Sequence, residues 1–471
     1  MQSSPEQLKA SIRAALRDQR LRAAVLKATD HSLAKRAEVV AERPDWEALR
    51  REAAIRRDRA LDRLDAHLLT LEEKASAKGI RVHWAADAAE ANRIIAEICK
   101  AAVGEKSGGR PLVAKSKSMT TEEIGLTPHL EGEGFEVVET DLGEYIVQIA
   151  GQMPSHITAP ALHLSRQDVG KLFAEKLGVP YQEDPVELIG VARGVLREKF
   201  LKADVGITGC NFAVAETGTP LMVENEGNGR LVGAVPRVQI TVMGIEKVVP
   251  AWEDLLILLE LLPRSATGQR LTGSVIFFNR PSRPEESDGP QELHLVILDN
   301  GRTRALADPK LRSVLRCIRC GACLNACPVY RRTGGHAYCW IYPGPIGAVL
   351  APLFLGREKA MDHPFASSLC GRCDEICPVM IPLHHHLLTL RERSARLRPA
   401  GEKAAWQGWE WVMDRPDLYR LLAAAPRFVL HDVLKGKWSP RLPVWGDERE
   451  TPPLAAKSFE EKFREEFGDE K

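Results

Sequence analysis

Eight of the ten cysteines fall between Cys317 and Cys377, and the other two, Cys99 and Cys210, lie far upstream. Thiols clustered this way in a long chain point to metal ligation, because disulfide frameworks belong mainly to short secreted chains. The first group is Cys317-Ile-Arg-Cys320-Gly-Ala-Cys323-Leu-Asn-Ala-Cys327-Pro328, a C-x2-C-x2-C-x3-C-P run of the bacterial ferredoxin type. Three thiolates two residues apart on a tight loop grasp three irons of one cubane, and the fourth reaches a different cluster. Gly321 lets the loop approach inorganic sulfide closely, and Pro328 stops the chain folding back. Structural zinc is the competing occupant, but it usually takes its ligands from two C-x2-C pairs.

The second group, Cys370-Gly-Arg-Cys373-Asp-Glu-Ile-Cys377-Pro378, repeats the register with Ser367 where the first cysteine belongs. Crossover of the ferredoxin kind makes Cys317, Cys320, Cys323 and Cys377 one complete set. Cys327, Cys370 and Cys373 remain for a second, one thiolate short. Three solutions are open: Ser367 as an alkoxide, Cys339 brought back by a glycine-flanked loop, or no fourth protein ligand.

Elements that position these motifs are legible in the patterning. Residues 1–75 form a charged helical arm, with Leu61, Leu64, Leu68 and Leu71 as an apolar stripe that packs on the next domain. From 76 to 300, strands are expected at 79–85, 111–117, 135–140, 145–149, 205–208, 212–215, 221–224 and 238–243. Helices are expected at 88–102, 120–130, 165–177, 186–202 and 252–262. That alternation implies a mainly parallel sheet covered on both faces, with ligands near the carboxyl ends of its strands. Residues 301–395 carry the cysteines between helices. Residues 396–471 form a helical tail that holds Trp406, Trp409, Trp411, Trp438 and Trp445, an aromatic concentration that suggests core or interface.

Composition excludes some classes of function. Sixty-five Lys and Arg nearly cancel 64 Asp and Glu, so no bulk basic field gathers nucleic acid. The N-terminus has no signal-peptide pattern, and the expected location is the cytoplasm. Residues 333–356 carry no Asp, Glu, Lys or Arg, but Pro343, Pro345 and Pro352 and the need to bring two cysteine motifs together argue against a membrane span. This stretch is expected to cover the metal site. Other candidates are weaker. The turn Asn225–Arg230 suggests an anion site built from the amides of Gly227 and Gly229 with Arg230, and Lys115 or Lys117 as further cations, against the simpler alternative of tight turns. His384, His385 and His386 point in different directions on a helix and make no single metal site. Cys99 and Cys210 are expected to be buried bystanders.

Taken with the cysteine runs, Ala114-Lys-Ser-Lys-Ser-Met119, Gly209-Cys-Asn-Phe-Ala-Val-Ala-Glu-Thr-Gly218, Asn225-Glu-Gly-Asn-Gly-Arg230, Gly335-His-Ala-Tyr338 and Tyr342-Pro-Gly-Pro-Ile-Gly347 resemble the lactate utilization protein B iron–sulfur family. The resemblance runs from about residue 60 into the tail. It implies an α/β LUD domain like those of the CoA-transferase and ribose-5-phosphate isomerase group, then an α-helical ferredoxin module with two 4Fe–4S clusters and a family-specific tail. A 3Fe–4S form is the alternative for the second cluster. It further implies an electron-carrying subunit of a cytoplasmic complex that oxidises L-lactate to pyruvate, with LutA- and LutC-like partners. Cys339 departs from the family pattern, which has a glycine there.

No G-x-G-x-x-G follows a strand, so the chain has no nicotinamide or flavin fingerprint to accept a hydride. A subunit that passes electrons is therefore expected rather than a stand-alone enzyme. The competing class is a self-sufficient LUD-domain enzyme using Glu216 as a carboxylate nucleophile.

Overall fold

A computed structural model of the chain describes residues 4–104, 109–427, 455 and 457–468. The chain divides into two compact units, Met1–Ser394 and Ala395–Lys471.

The first unit is built on two sheets. Six strands, β1 (Arg81–Ala85), β2 (Leu112–Lys115), β3 (Glu136–Glu139), β4 (Val205–Gly209), β7 (Val238–Gly244) and β10 (Glu292–Leu298), pair in parallel in the order β1-β10-β7-β4-β2-β3. β7 and β4 are buried along their whole length, the near-continuous apolar runs that a sheet covered on both faces requires. Polar groups inside β7 bond within the sheet: Gln239 Nε2 donates to Thr208 Oγ1 at 2.7 Å and to Thr241 Oγ1 at 2.9 Å. A smaller sheet joins β8 (Val248–Val249), β5 (Phe212–Val214), β6 (Thr219–Glu224) and β9 (Ser274–Phe277) in that order. Helix Ala88–Val103 starts on an Asp87 cap and buries Ala91, Ile95, Ala96 and Cys99 at helical spacing against the large sheet.

Three expectations need correction. Residues 145–149 belong to helix Leu142–Ile149, because the Asp141 carboxylate takes the Glu144 amide at 3.1 Å and starts a helix. A short apolar run of this kind has no period of its own to separate strand from helix. The helix expected at 120–130 is broken at Gly125, whose φ of 64° is left-handed, into Met119–Glu123 and Leu126–Gly132. Strands at 212–215 and 221–224 form, but in the second sheet, and β8, β9 and the central strand β10 were not anticipated.

The N-terminal helices Pro5–Arg17, Gln19–Ala41, Trp46–Asp62 and Leu64–Ser76 are integral to this unit. Leu61, Leu64, Leu68 and Leu71 are buried in one core with Phe212, Leu221, Val248 and the residues around Cys320 and Cys323. Two buried arginines stitch the arm to the cysteine segment. Arg50 Nε donates to the Cys377 carbonyl at 2.9 Å, and Arg57 Nη groups donate to the carbonyls of Val248 and Leu315 at 3.0 and 3.1 Å.

Between Gly301 and Ser394 the described residues are helices and turns, including Ala322–Ala326, Gly344–Phe354, Arg372–Ile376 and Leu383–Ala395. Arg302 lies at the junction with the sheets, fully buried between two carboxylates. Its guanidinium pairs with both oxygens of Glu123 at 2.9 Å and with Glu246 Oε2 at 2.5 Å. Burial alone would raise Glu246, but the charges of Arg302, Lys247 and Arg319 overcome it and hold the carboxylate at about 2. The charge-free stretch becomes the 11-residue buried helix Gly344–Phe354, and no described helix is long and apolar enough to cross a membrane.

The second unit contains helices Ala400–Met413, Pro416–Arg427 and Phe459–Phe467. Trp406, Trp409 and Trp411 are exposed at 61%, 54% and 55%, so these three are not core. Trp438 and Trp445 lie outside the described residues.

Candidate iron–sulfur site

The two cysteine motifs fold the same way locally. In each, the residue before a cysteine has a left-handed backbone, Arg319 at φ 59° and Leu369 at φ 56°. A left-handed glycine follows that cysteine, Gly321 at 74° and Gly371 at 77°, and opens a five-residue helix. Two successive reversals wrap the backbone into a tight loop, and glycine tolerates the second one without strain. Both helices, Ala322–Ala326 and Arg372–Ile376, end on an extended cysteine, Cys327 and Cys377, each followed by proline. The helices pack against one another, which brings the motifs together.

Thiol placement follows from this packing. Cys317, Cys320, Cys323 and Cys377 border one cavity, closed by Ile157, Ile346, Ile381 and Leu383. Burial first, and then Cys377 and Cys317, push the Cys320 thiol up to about 12. Burial pushes Cys377 up to about 11, with Cys317 adding to it, and drives Cys323 well above its ordinary value with Cys320, Cys317 and Cys377 contributing. A separate group forms around Cys327. Burial and Cys370 raise Cys327, and burial, Asp374 and Cys327 raise Cys373. Cys373 also acts on Cys323, so the two groups adjoin. Cys370 is exposed, whereas Cys327 and Cys373 are buried.

Three buried thiols that resist ionisation, Cys320, Cys323 and Cys377, form a poor environment for free thiolates and a good one for a cationic cluster, which ionises its ligands outright. Donors are already aimed at the sulfurs: the Arg319 amide reaches Cys317 Sγ at 3.4 Å, and the Ile381 amide reaches Cys377 Sγ at 3.4 Å. Tyr338 hydroxyl is buried without a hydrogen-bond partner, and the electrostatic influence of Cys327 and Cys323 reaches it. An orphaned donor between the two thiol groups fits a site meant to hold sulfide-rich clusters. Among the described residues, no three His, Cys, Asp or Glu side chains converge as on a single ion.

Sequence comparison agrees with this arrangement. A LUD domain model matches residues 68–298, a 4Fe–4S dicluster domain model matches 313–381, and a model of the C-terminal part of lactate utilisation protein B matches 380–467. The chain is 44% identical to the lactate utilization protein B of Bacillus licheniformis, with 100% of each chain covered. It belongs to the lactate utilization protein B family. Relatives from Macrococcus caseolyticus and Bacillus subtilis are also 44% identical, over 96% and 95% of this chain and 95% and 93% of theirs. A solved DUF162 family protein from Deinococcus radiodurans covers 50% of this chain and 98% of its own at 16% identity, with a TM-score of 0.28 that carries no structural argument. As in the family, the chain carries a domain for binding iron–sulfur clusters.

The remaining candidates in this family member sit as follows. Cys339 turns away from the other thiols, and its Sγ donates to Ser11 Oγ at 3.1 Å. Ser367 Oγ accepts from the Leu369 amide at 3.1 Å. At Asn225–Arg230, Glu224 accepts the Gly229 amide at 2.8 Å and the Arg230 amide at 3.3 Å, Gly227 is half-buried, and the Arg230 side chain is exposed. Lys115 is buried between Glu122 and Glu139 at 2.8 and 2.6 Å and is spent on them. Glu216 is exposed and accepts the Trp252 amide at 2.9 Å. His386 bonds Ser313 at 2.8 Å while His384 pairs with Asp374 at 2.6 Å, so the histidines serve different neighbours. Burial pushes both Cys99 and Cys210 up to about 12. Sequence patterning alone assigned no role to Tyr338, Arg319 or Lys247. The first two lie inside quoted motifs, whereas nothing local marks Lys247.

Proposed function

We propose that the chain holds two 4Fe–4S clusters and carries electrons in the oxidation of lactate, as a subunit of a larger assembly. The observation that carries this reading is the partition of seven thiols into two adjoining groups, each drawing on both motifs. Cys317, Cys320, Cys323 and Cys377 ligate one cluster, and Cys327, Cys370 and Cys373 ligate the other. When bound, such clusters store and release single electrons. The chain's own residues keep the first site dry with Ile157, Ile346, Ile381 and Leu383 and supply amide donors to its sulfurs. Exposure of Cys370 puts the second site at the surface, where a redox partner can approach. Removing two electrons and two protons from L-lactate calls for a two-electron acceptor, which the LutA- and LutC-like partners or their cofactors supply. Glu216 serves as a helix-end acceptor in the open, so the carboxylate-nucleophile alternative finds no enclosed site around it.

Purified without oxygen, the chain should be brown and hold roughly seven to eight irons. Alone, it should not reduce an artificial acceptor with L-lactate, whereas the reconstituted assembly should do so and show the EPR signal of reduced clusters. Lactate oxidation by the isolated chain would overturn the subunit reading.

Two variants probe the second site and its surroundings. Cys339→Gly should leave iron content and absorption spectrum unchanged, because its thiol is turned toward Ser11. Loss of one cluster in that variant would instead make Cys339 the fourth ligand. Tyr338→Phe removes the orphaned hydroxyl between the two thiol groups and should lower a cluster midpoint potential by tens of millivolts, since donors to sulfur favour the reduced state. A redox titration that gives unchanged potentials for both clusters would leave that hydroxyl without a role.

A further inference from the structure

The large sheet has a reversal point. β3 follows β2 on one side, whereas β4, β7 and β10 proceed in turn on the other, so the direction of winding changes between β2 and β4. At such a point the connections leave a crevice beyond the carboxyl ends of the strands, where α/β domains place ligands. A cavity of about 280 Å³ lies there. It is lined by Ser116 and Lys117 just after β2, by Cys210 and Asn211 just after β4, and by Lys247 three residues after β7.

Three cations and three carboxylates line it, but among the described residues no ion pair joins the two sets. Lys247 is only 6% exposed, and among the described residues its ammonium makes no hydrogen bond or ion pair. A buried cation without a hydrogen-bond partner is costly unless something else occupies the space in front of it. Arg319 closes the same cavity. Its guanidinium stacks over the Tyr342 ring at 4.6 Å, one Nη is buried without a hydrogen-bond partner, and the other makes a long contact, 3.4 Å, with Glu246. Lys117 also lines the cavity with no ion pair among the described residues. The acidic residues of the lining are in the opposite condition. Glu224 accepts the Gly229 and Arg230 amides, Glu226 accepts the Leu142 amide, and Asp141 accepts the Glu144 amide.

We propose that this cavity binds a small organic carboxylate, with Lys247 and Arg319 taking its charge. A monoanion fits better than a phosphate dianion, because the three lining carboxylates repel a second negative charge. Ser116, Asn211 and Asn228 offer polar groups for a hydroxyl or oxo substituent on the ligand. Ile157 and Arg319 also border the four-cysteine cavity, so the ligand lies one residue-thick wall away from that site. The binding itself is independent of the electron-carrying reading; only its effect on a cluster spectrum rests on that reading.

The test uses the full-length, iron-loaded chain, titrated calorimetrically with L-lactate, pyruvate and inorganic phosphate. At least one carboxylate should bind saturably, and phosphate should bind more weakly. Lys247→Met should weaken carboxylate binding about tenfold or more, the loss expected for a hydrogen bond to a charged group, with iron content kept. Lys247→Arg should retain part of the affinity. If Lys247→Met fails to fold, Lys117→Gln, at the partly exposed side of the cavity, should still weaken binding severalfold. Absence of saturable carboxylate binding, phosphate binding tighter than both carboxylates, or unaltered affinity in the folded lysine variants would each overturn the proposal. Ligand-induced change in the EPR signal of the loaded chain separates the two readings: binding without that change keeps the anion site and counts against its proximity to a working cluster.

Discussion

Cys377→Ala is expected to remove about four of roughly eight irons, and to remove them from the cluster held by the first motif. Cys377 belongs to the second motif by sequence, but its thiol borders the cavity of Cys317, Cys320 and Cys323, and it is Cys317 that acts on it electrostatically. Cys370→Ala should remove the other cluster, because the thiol it acts on is Cys327. The two variants should therefore leave complementary EPR signals, whose sum approximates the native spectrum. If each motif instead serves its own cluster, Cys377→Ala and Cys370→Ala will erase the same signal. That outcome would falsify the crossover assignment while leaving iron binding itself intact.

Arg302→Met should produce the largest loss of stability among single substitutions outside the cysteines. Its side chain is fully buried and bonded to Glu123 and Glu246, both themselves almost wholly buried. Removing it leaves Glu123 without its cation and Glu246 with only Arg319 and Lys247 to offset its charge, and breaking such a buried arrangement costs about 3–5 kcal/mol. Tyr342, which donates to Glu123 at 2.8 Å, loses a firmly placed acceptor at the same time. Glu246 also bonds Arg319 inside the first cysteine motif, so iron occupancy should fall along with the denaturation midpoint. Arg302→Lys should recover only part of the loss, because an ammonium cannot pair with both oxygens of Glu123 in a fork. An unchanged denaturation midpoint in Arg302→Met, measured anaerobically on the iron-loaded chain, would show that the charge network contributes nothing net.

What was legible in the sequence follows from locality. The cysteine runs are contiguous, and their spacing reports chemistry that happens within a few residues of backbone, so the iron–sulfur character and the family could be read directly. The leucine stripe at Leu61, Leu64, Leu68 and Leu71 was readable for the same reason, since helical period exposes a buried face. Where a local competitor decided the outcome, patterning failed: the Asp141 cap turned an apolar run into a helix, and the left-handed Gly125 split another.

Long-range pairing lies beyond local pattern. β10 becomes an interior strand only because β1 and β7 lie on either side of it, and β1 comes from near the other end of the domain in sequence. The Asn225–Arg230 turn carries the composition of an anion site, yet the neighbouring Glu224 carboxylate takes the Gly229 and Arg230 amides. Lys247 carries no signature in sequence, and its importance comes from burial beside a cavity that β2, β4 and β7 form together. By itself, then, the sequence determined the metal-binding chemistry, because covalent spacing alone places those thiols. Only the tertiary structure decided which cations lack close partners and where a ligand can enter, because these depend on distances between segments that no spacing records.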